Sequence, residues 1–187
     1  MNVFISGGCK NGKSYYAQRV AKDMADDQKV PLYYLATMRP SDDEDRARIT
    51  KHIEDRDGWG FETVEQPENI CSCLADESTS DAEAKVKANP KGSFLLDSVT
   101  ALLSNEMFRV DGTIDLDAPK RVAEDLKNFA AKTGNTVFVS DYIYSDALKY
   151  DELTESYRKG LAYIDRELAK ICDQVIEVAY SQIIRHK

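Results

Sequence analysis

The segment from Gly7 to Ser14, which reads GGCKNGKS, has the residue types and spacing that most clearly point to chemistry. Its glycines let the backbone turn so that successive N–H groups face one anion, beside the positive end of the next helix. Lys13 supplies a mobile positive charge for β and γ phosphates, and the Ser14 hydroxyl can ligate Mg²⁺. The pattern predicts a site for a nucleoside triphosphate with its magnesium ion. The alternative is a glycine turn that happens to contain Lys and Ser.

Asp97 is a second candidate, because it ends the apolar segment FLLD. Proteins with a phosphate-binding loop of this kind hold magnesium, or its water, with an acidic residue at such a strand end. An acidic residue in this position can also cap the following helix. The two roles are compatible, so we expect Asp97 to be a metal ligand and leave the capping role open.

The chain contains two histidines, His52 and His186, which is too few for a histidine-rich metal site. His52 falls in a charged segment that we expect to be helical. Most such histidines are structural or exposed, but an imidazole can also act as a nucleophile or base near neutral pH. His186 is next to the last residue, and we expect a frayed side chain there.

Composition limits the class of protein. A formal net charge of -8 argues against a protein that binds nucleic acid by neutralising its phosphates. The four cysteines match no usual zinc spacing, so we expect reduced, mostly structural thiols. With no apolar run long enough to span a membrane and no secretory signal, we expect a cytoplasmic protein. Its 187 residues suit one domain, 1–187.

Hydrophobic patterns predict an alternation of strands and helices. Short apolar runs predict strands over 2–6, 32–36, 93–99, 136–141 and 174–180, with 61–66 a short strand or an extended loop. Helical spacing and end signals predict helices over 13–24, 42–56, 101–108, 117–132 and 151–173, and one or two without functional residues within 68–90. We therefore predict an α/β protein with the P-loop NTPase fold: a mostly parallel central sheet with helices on both faces. Ligands of such sheets bind at the carboxyl ends of the strands.

Several segments, in order along nearly the whole chain, resemble the bifunctional adenosylcobinamide kinase and adenosylcobinamide-phosphate guanylyltransferase family of cobalamin biosynthesis. They are FISGGCKNGKS, YLAT followed by DDEDRARITKHIEDR, FETVE, FLLDSVTALLSN, and the final helix and strand. The glycine loop alone is generic. YLAT followed by an acidic start, ARI and a histidine is much more specific to that family.

The resemblance implies catalytic roles for Lys13 and for His52, the latter as the histidine that becomes guanylylated. It implies Mg²⁺ held by Ser14 and Asp97, ATP and GTP as substrates, an adenosylcobinamide (corrinoid) partner and a homotrimer. The nucleotide-binding residues that it implies are Gly7, Gly8, Cys9, Lys10, Asn11, Gly12, Lys13, Ser14, Thr37, Met38, Ile53, Glu54, Asp55, Arg56, Glu65 and Asp97.

Besides Lys51, which stands where some relatives have a second histidine, two features depart from the family pattern. The family usually has Glu where this chain has Asp97, and an Asn-Glu-Val-Gly motif where this chain has SDYIYSD at 140–146. The second change leaves open whether the acceptor or one activity differs, or whether Tyr142 and Tyr144 merely pack. A P-loop kinase without guanylyl transfer, or a nucleotide-binding regulatory protein, are the alternative functions.

Overall fold

The computed structural model describes residues 1–40, 50, 56–75 and 87–187. Its strands are β1 (Val3–Gly7), β2 (Leu32–Ala36), β3 (Phe61–Glu65), β4 (Ser93–Asp97), β5 (Thr136–Asp141), β6 (Gln174–Ala179) and β7 (Gln182–Arg185). Its helices are α1 (Lys13–Gln28), α2 (Val99–Met107), α3 (Ala118–Thr133) and α4 (Glu152–Ile171), with a 3-10 turn at Ile70–Cys73. None of the helices within these ranges is long and apolar enough to cross a membrane.

The described strands form one sheet in the order β3-β2-β4-β5-β1-β6-β7. Every neighbouring pair is parallel except β6 and β7, which are antiparallel. Strand β1 lies between β5 and β6, and β5 separates β1 from β4. The loop after β1 and the ends of β4 and β5 therefore lie at the same edge of the sheet, as predicted for the ligand site.

Hydrophobic side chains pack on both faces of this sheet. Successive strand residues point to opposite faces, so Phe94 and Leu96 of β4 join α2, α3 and α4 in one core, while Leu95 joins α1 in the other. All three side chains are fully buried, and each burial contributes about 1.5–3 kcal/mol relative to exposure. The predicted mostly parallel sheet with helices on both faces is confirmed.

The C-terminal end of the chain differs from the prediction. The strand predicted over 174–180 ends at Ala179, the chain reverses at Tyr180 and Ser181, and a further strand that we did not predict, β7, pairs with β6 at the edge of the sheet. Both turn residues have positive φ, 52° and 59°, the backbone that a two-residue hairpin requires. His186 is not frayed: its N–H donates to the Val175 carbonyl, and its Nε2 lies 3.0 Å from Oε2 of Glu177.

The remaining predicted elements agree in kind; β2 and β5 have the predicted bounds, and the ends of the others are shifted. The strand predicted over 93–99 ends earlier, at Asp97, because Ser98 already caps α2. Most of the predicted helix over 42–56, and positions 76–86 of the stretch 68–90, lie outside the described residues. The described part of that stretch contains only the short 3-10 turn as helix. All four cysteines are free, as expected, and burial raises the pKa of the Cys73 and Cys172 thiols to about 12.

Candidate nucleotide-binding site

The glycine loop connects β1, an interior strand of the sheet, directly to α1. Gly12 occupies the position before the helix with φ 85°, and no side chain caps the helix there. The first N–H groups of α1 are thus presented at the loop, in the arrangement that binds anions. Gly7 must remain glycine, because a Cβ would clash with the backbone carbonyl oxygen of Val178 on β6. The loop therefore has the local geometry expected of a phosphate-binding loop.

Lys13, the first residue of α1, is the best-defined functional side chain of this loop. It is only 7% exposed. Its Nζ donates to the Gly8 carbonyl at 3.3 Å and lies 2.5 Å from Oδ1 of Asp141. An ammonium group has three N–H donors, so these two contacts leave one for a further acceptor.

Asp141 was not among the site residues predicted from the sequence. It is the last residue of β5 and is opposite Gly7 in the ladder between β1 and β5, so the sheet itself brings it to the glycine loop. Its own N–H donates to Oγ1 of Thr100 on α2, at 2.9 Å. The signal was available, because TVFVSD, like SFLLD, is an apolar strand that ends in an acidic residue. The order of the strands, which places β5 beside β1, was not.

Asp97 is the last residue of β4, which β5 separates from β1 and its glycine loop. It contacts Tyr34 of β2. The Tyr34 hydroxyl donates to Oδ2 of Asp97 at 3.2 Å. Burial, and then the nearby Asp97 charge, raise the pKa of Tyr34 well above its ordinary value, so its proton stays available for this bond. The cap of α2 is Ser98, whose Oγ accepts from the Ala101 N–H. The capping role that we left open for Asp97 therefore belongs to its neighbour.

Arg56 lies over the ring of the same tyrosine, Tyr34. Its guanidinium carbon is 3.5 Å from the centroid of the Tyr34 ring, a cation–π contact. The side chain is buried, yet its Nη1 makes no hydrogen bond within the described residues. Arg56 is the one member of the predicted stretch 53–56 whose position is described. His52, Ile53, Glu54 and Asp55 lie outside the described residues, and their roles stay predictions.

Thr37 ties the end of β2 to the start of α2. Its buried hydroxyl donates to the Ser98 carbonyl and accepts from the Ser98 N–H, both at 2.8 Å. Its own carbonyl accepts from Nδ2 of Asn105 at 2.7 Å. The hydroxyl and the carbonyl of Thr37 are therefore both engaged in hydrogen bonds that stabilise the fold. Met38 follows it half-buried, and Glu65 is exposed at the end of β3; contacts of all three with a nucleotide stay predictions.

A buried carboxyl group lies behind the end of β5. Oδ2 of Asp165 on α4 accepts from the Ser140 hydroxyl at 3.1 Å and from the Tyr144 hydroxyl at 2.9 Å. Burial raises the pKa of Asp165 to about 7, with the two hydroxyl bonds opposing the rise and Asp141 adding to it. The hydroxyl of Tyr142 donates to Glu177. Tyr142 and Tyr144, the tyrosines of the segment 140–146 that differs from the family pattern, are thus both hydrogen-bonded within the protein. This agrees with the alternative that they merely pack.

Comparison with known proteins agrees with this architecture. The model of the family described as cobinamide kinase / cobinamide phosphate guanyltransferase matches residues 3–184. The chain is similar to the ATPase domain of G40P at 13% identity and a TM-score of 0.50, over 94% of this chain and 68% of that one. It is also similar to a protein of Pyrococcus horikoshii OT3 at 10% identity and a TM-score of 0.51, over 100% and 85%. No curated protein matches the chain.

The structural likenesses concern the fold alone, which is that of P-loop NTPases, as predicted from the sequence. The family match is of a different kind, since it extends from the first residue of β1 into β7 and so includes the glycine loop and both acidic strand ends. The family acts as cobinamide kinase and guanylyltransferase in cobalamin biosynthesis. With nearly every residue inside that match, this chain belongs to the cobinamide kinase / cobinamide phosphate guanyltransferase family.

Proposed function

We propose that this protein phosphorylates adenosylcobinamide and then transfers GMP from GTP to the phosphate formed, giving adenosylcobinamide-GDP. The observation that carries the proposal is the buried Lys13 ammonium at the head of α1, inside a glycine loop that no side chain caps. Family membership supplies the substrate class. The resemblance of the segment around His52 supplies the proposal that guanylyl transfer passes through that histidine.

In the kinase step, the substrate hydroxyl oxygen forms a bond to the γ-phosphorus, and the bond from that phosphorus to the β–γ bridging oxygen breaks. The nucleoside diphosphate leaves, and the hydroxyl proton passes to solvent. No covalent enzyme intermediate is required, so the protein contributes positioning and charge neutralisation. The N–H groups at the start of α1 and the ammonium of Lys13 would perform both tasks.

The donor set suits magnesium. Mg²⁺ prefers hard oxygen ligands and keeps several waters while it binds substrate phosphates. Ser14, in the first turn of α1, and Asp97, at the end of β4, offer one hydroxyl and one carboxylate at the same edge of the sheet. These two residues would hold the ion. When bound, it neutralises charge on the phosphate oxygens of the substrate.

In the guanylyl step, a neutral imidazole nitrogen of His52 would attack the α-phosphorus of GTP, and pyrophosphate would leave. The GMP held as a phosphoramidate would then be attacked by an oxygen of adenosylcobinamide phosphate. That attack breaks the nitrogen–phosphorus bond and returns the histidine to its starting state. A covalent nucleophile divides one difficult transfer into two easier ones.

A lysine pair on α1 tests the kinase half. Lys13→Ala should lower the rate of adenosylcobinamide phosphorylation by about a hundredfold or more, because it removes a charge aimed at the transferred group. Lys22→Ala is the matched control, since Lys22 lies on the same helix and pairs with Asp26 at the surface. Equal rates for Lys13→Ala and the wild-type protein would refute the assigned role.

The two histidines form a matched pair for the transferase half. Incubation with α-labelled GTP and Mg²⁺ should leave an acid-labile, alkali-stable label on the wild-type protein and on His186→Ala, whose histidine pairs with Glu177 at the sheet edge. His52→Ala should remain unlabelled. Phosphorylation without labelling would favour a kinase that lacks guanylyl transfer, and tight nucleotide binding with neither reaction would favour a regulatory protein.

The family resemblance also leads us to propose a homotrimer, which sedimentation equilibrium tests.

A further inference from the structure

The Lys13–Asp141 ion pair is a feature of this site that phosphate binding by the glycine loop does not require. We propose that Asp141 is a positioning residue for Lys13: it holds the ammonium group at the floor of the loop and thereby sets the affinity for nucleotide. The inference rests on the proposed function only for the effect on turnover. The effect on nucleotide binding stands on the geometry alone.

Asp141 is held firmly enough to act in this way. Its backbone is fixed by the ladder with β1, where it is opposite Gly7, and by the bond from its N–H to Thr100. The preceding residue, Ser140, is fully buried and bonded to Asp165. The carboxylate itself is 27% exposed, so it faces the loop without being withdrawn into the core. Lys13 therefore meets a fixed negative charge at 2.5 Å rather than a mobile surface side chain.

The same carboxylate opposes an incoming triphosphate in two ways. The phosphate oxygens must share the Lys13 ammonium with Oδ1 of Asp141, which already occupies one of its three N–H donors. The negative charge of the Asp141 carboxylate also remains beside the anionic phosphates. The site is partly desolvated, so the repulsion between them is stronger than in water. Loss of the Asp141 charge should therefore strengthen nucleotide binding.

The pair also has a benefit for catalysis. A lysine ammonium sits on a flexible four-carbon stem with three rotatable donors, and it must be aimed to stabilise a transferring phosphoryl group. The contacts with Gly8 and Asp141 restrict that motion before the substrate arrives. Without the carboxylate, Lys13 should bind phosphate more readily but be less well oriented during the reaction. The signature is tighter binding together with slower turnover.

The test compares Asp141→Asn with Asp146→Asn. Asp146 lies in the loop that follows β5 and pairs with the buried Arg158 at 2.8 Å, whereas Asp141 pairs with Lys13, so the Asp146 variant controls for loss of an acidic partner. Calorimetric binding of an ATP analogue with a non-hydrolysable β–γ bridge should be about tenfold tighter for Asp141→Asn and unchanged for Asp146→Asn. The kcat for adenosylcobinamide phosphorylation should fall about tenfold in Asp141→Asn only.

Damage to the fold weakens binding, so tightening separates the inference from a purely structural role. Unchanged or weaker binding by folded Asp141→Asn would overturn it. If that variant does not fold, Asp141→Ser, which still offers an oxygen to Lys13, replaces it under the same criteria. Should no variant, nor the wild-type protein, phosphorylate the corrinoid, the proposed function fails while the binding result still decides the inference.

Discussion

The buried carboxyl group of Asp165 leads to a prediction about stability and pH. Asp165 is 4% exposed, and its Oδ1 makes no hydrogen bond within the described part of the chain, while Oδ2 accepts from Ser140 and Tyr144. Burial raises the pKa of this group from 3.8 to about 7 in the folded protein. In the unfolded chain the pKa returns to its ordinary value. Ionisation of Asp165 therefore opposes folding.

The difference between the folded and unfolded pKa values of Asp165 sets the sign and the size of the effect of pH on the free energy of unfolding. Well below the ordinary pKa of 3.8 the group is protonated in both states, and its ionisation costs nothing. Between about pH 4 and pH 7 the unfolded chain is ionised while the folded protein retains its proton, so the free energy of unfolding falls as pH rises. Above pH 7 the full cost is present, on the order of 4 kcal/mol at 1.36 kcal/mol for each pKa unit.

Asp165→Asn removes this titration and keeps an oxygen that can accept from both hydroxyls. The new amide N–H groups are left unpaired where Oδ1 was, a pH-independent cost of about 1–3 kcal/mol. The variant should therefore be less stable than the wild-type protein at pH 4 and more stable at pH 8. The difference between the two free energies of unfolding should rise by up to about 4 kcal/mol across that interval.

Urea unfolding at several pH values measures this difference. Asp151→Asn is the control, because Asp151 caps the same helix, and bonds to Thr154 lower the pKa of its exposed carboxyl group. The stabilisation that comes from a lowered pKa is fully present above the ordinary pKa of 3.8 and is lost only in more acid solution. The difference between Asp151→Asn and wild type should therefore stay flat from pH 4 to pH 8. A difference between Asp165→Asn and wild type that stays flat, or falls, from pH 4 to pH 8 would refute the reasoning.

Substitutions of Gly7 and Thr37 test two sets of backbone contacts at the edge of the sheet that carries the glycine loop. Gly7→Ala should destabilise the fold by more than about 2 kcal/mol in urea unfolding, because its Cβ meets the rigid Val178 carbonyl, whereas the Cβ of Gly8→Ala meets only a side chain. Equal losses would contradict this explanation. Thr37→Val should cost about 2 kcal/mol, because it leaves the Ser98 N–H and carbonyl without their partner, and Thr37→Ser should restore most of it. A Thr37→Val variant as stable as wild type would show that these bonds contribute nothing.

Local sequence signals were sufficient where an element is defined by its own residues. The glycine loop stands between a strand and a helix as predicted, and β2 has the predicted bounds 32–36. The hairpin at Tyr180 and Ser181 was missed, because neither residue is the glycine or asparagine that usually marks a positive φ. His186 was misjudged for a related reason: its order depends on pairing with β6, which only the hairpin makes possible.

Spatial neighbours could not be predicted from local signals. Asp97 and Asp141 both end apolar strands, yet only the sheet order reveals that Asp141 is next to the glycine loop. Likewise, a sequence that reads Asp-Ser before a helix offers two caps, and the hydrogen bond to Ala101 decides in favour of Ser98. Residues that act through long-range pairing therefore need the structure, whereas the phosphate-binding segment does not.

A chase of labelled protein decides whether GMP passes through the enzyme. The protein is incubated with α-labelled GTP, freed of nucleotide by gel filtration, and mixed with adenosylcobinamide phosphate alone. If His52 carries GMP as a phosphoramidate, the label leaves the protein in a single turnover and appears in adenosylcobinamide-GDP. Label that stays on the protein, or a wild-type protein that never acquires it, would contradict guanylyl transfer through His52.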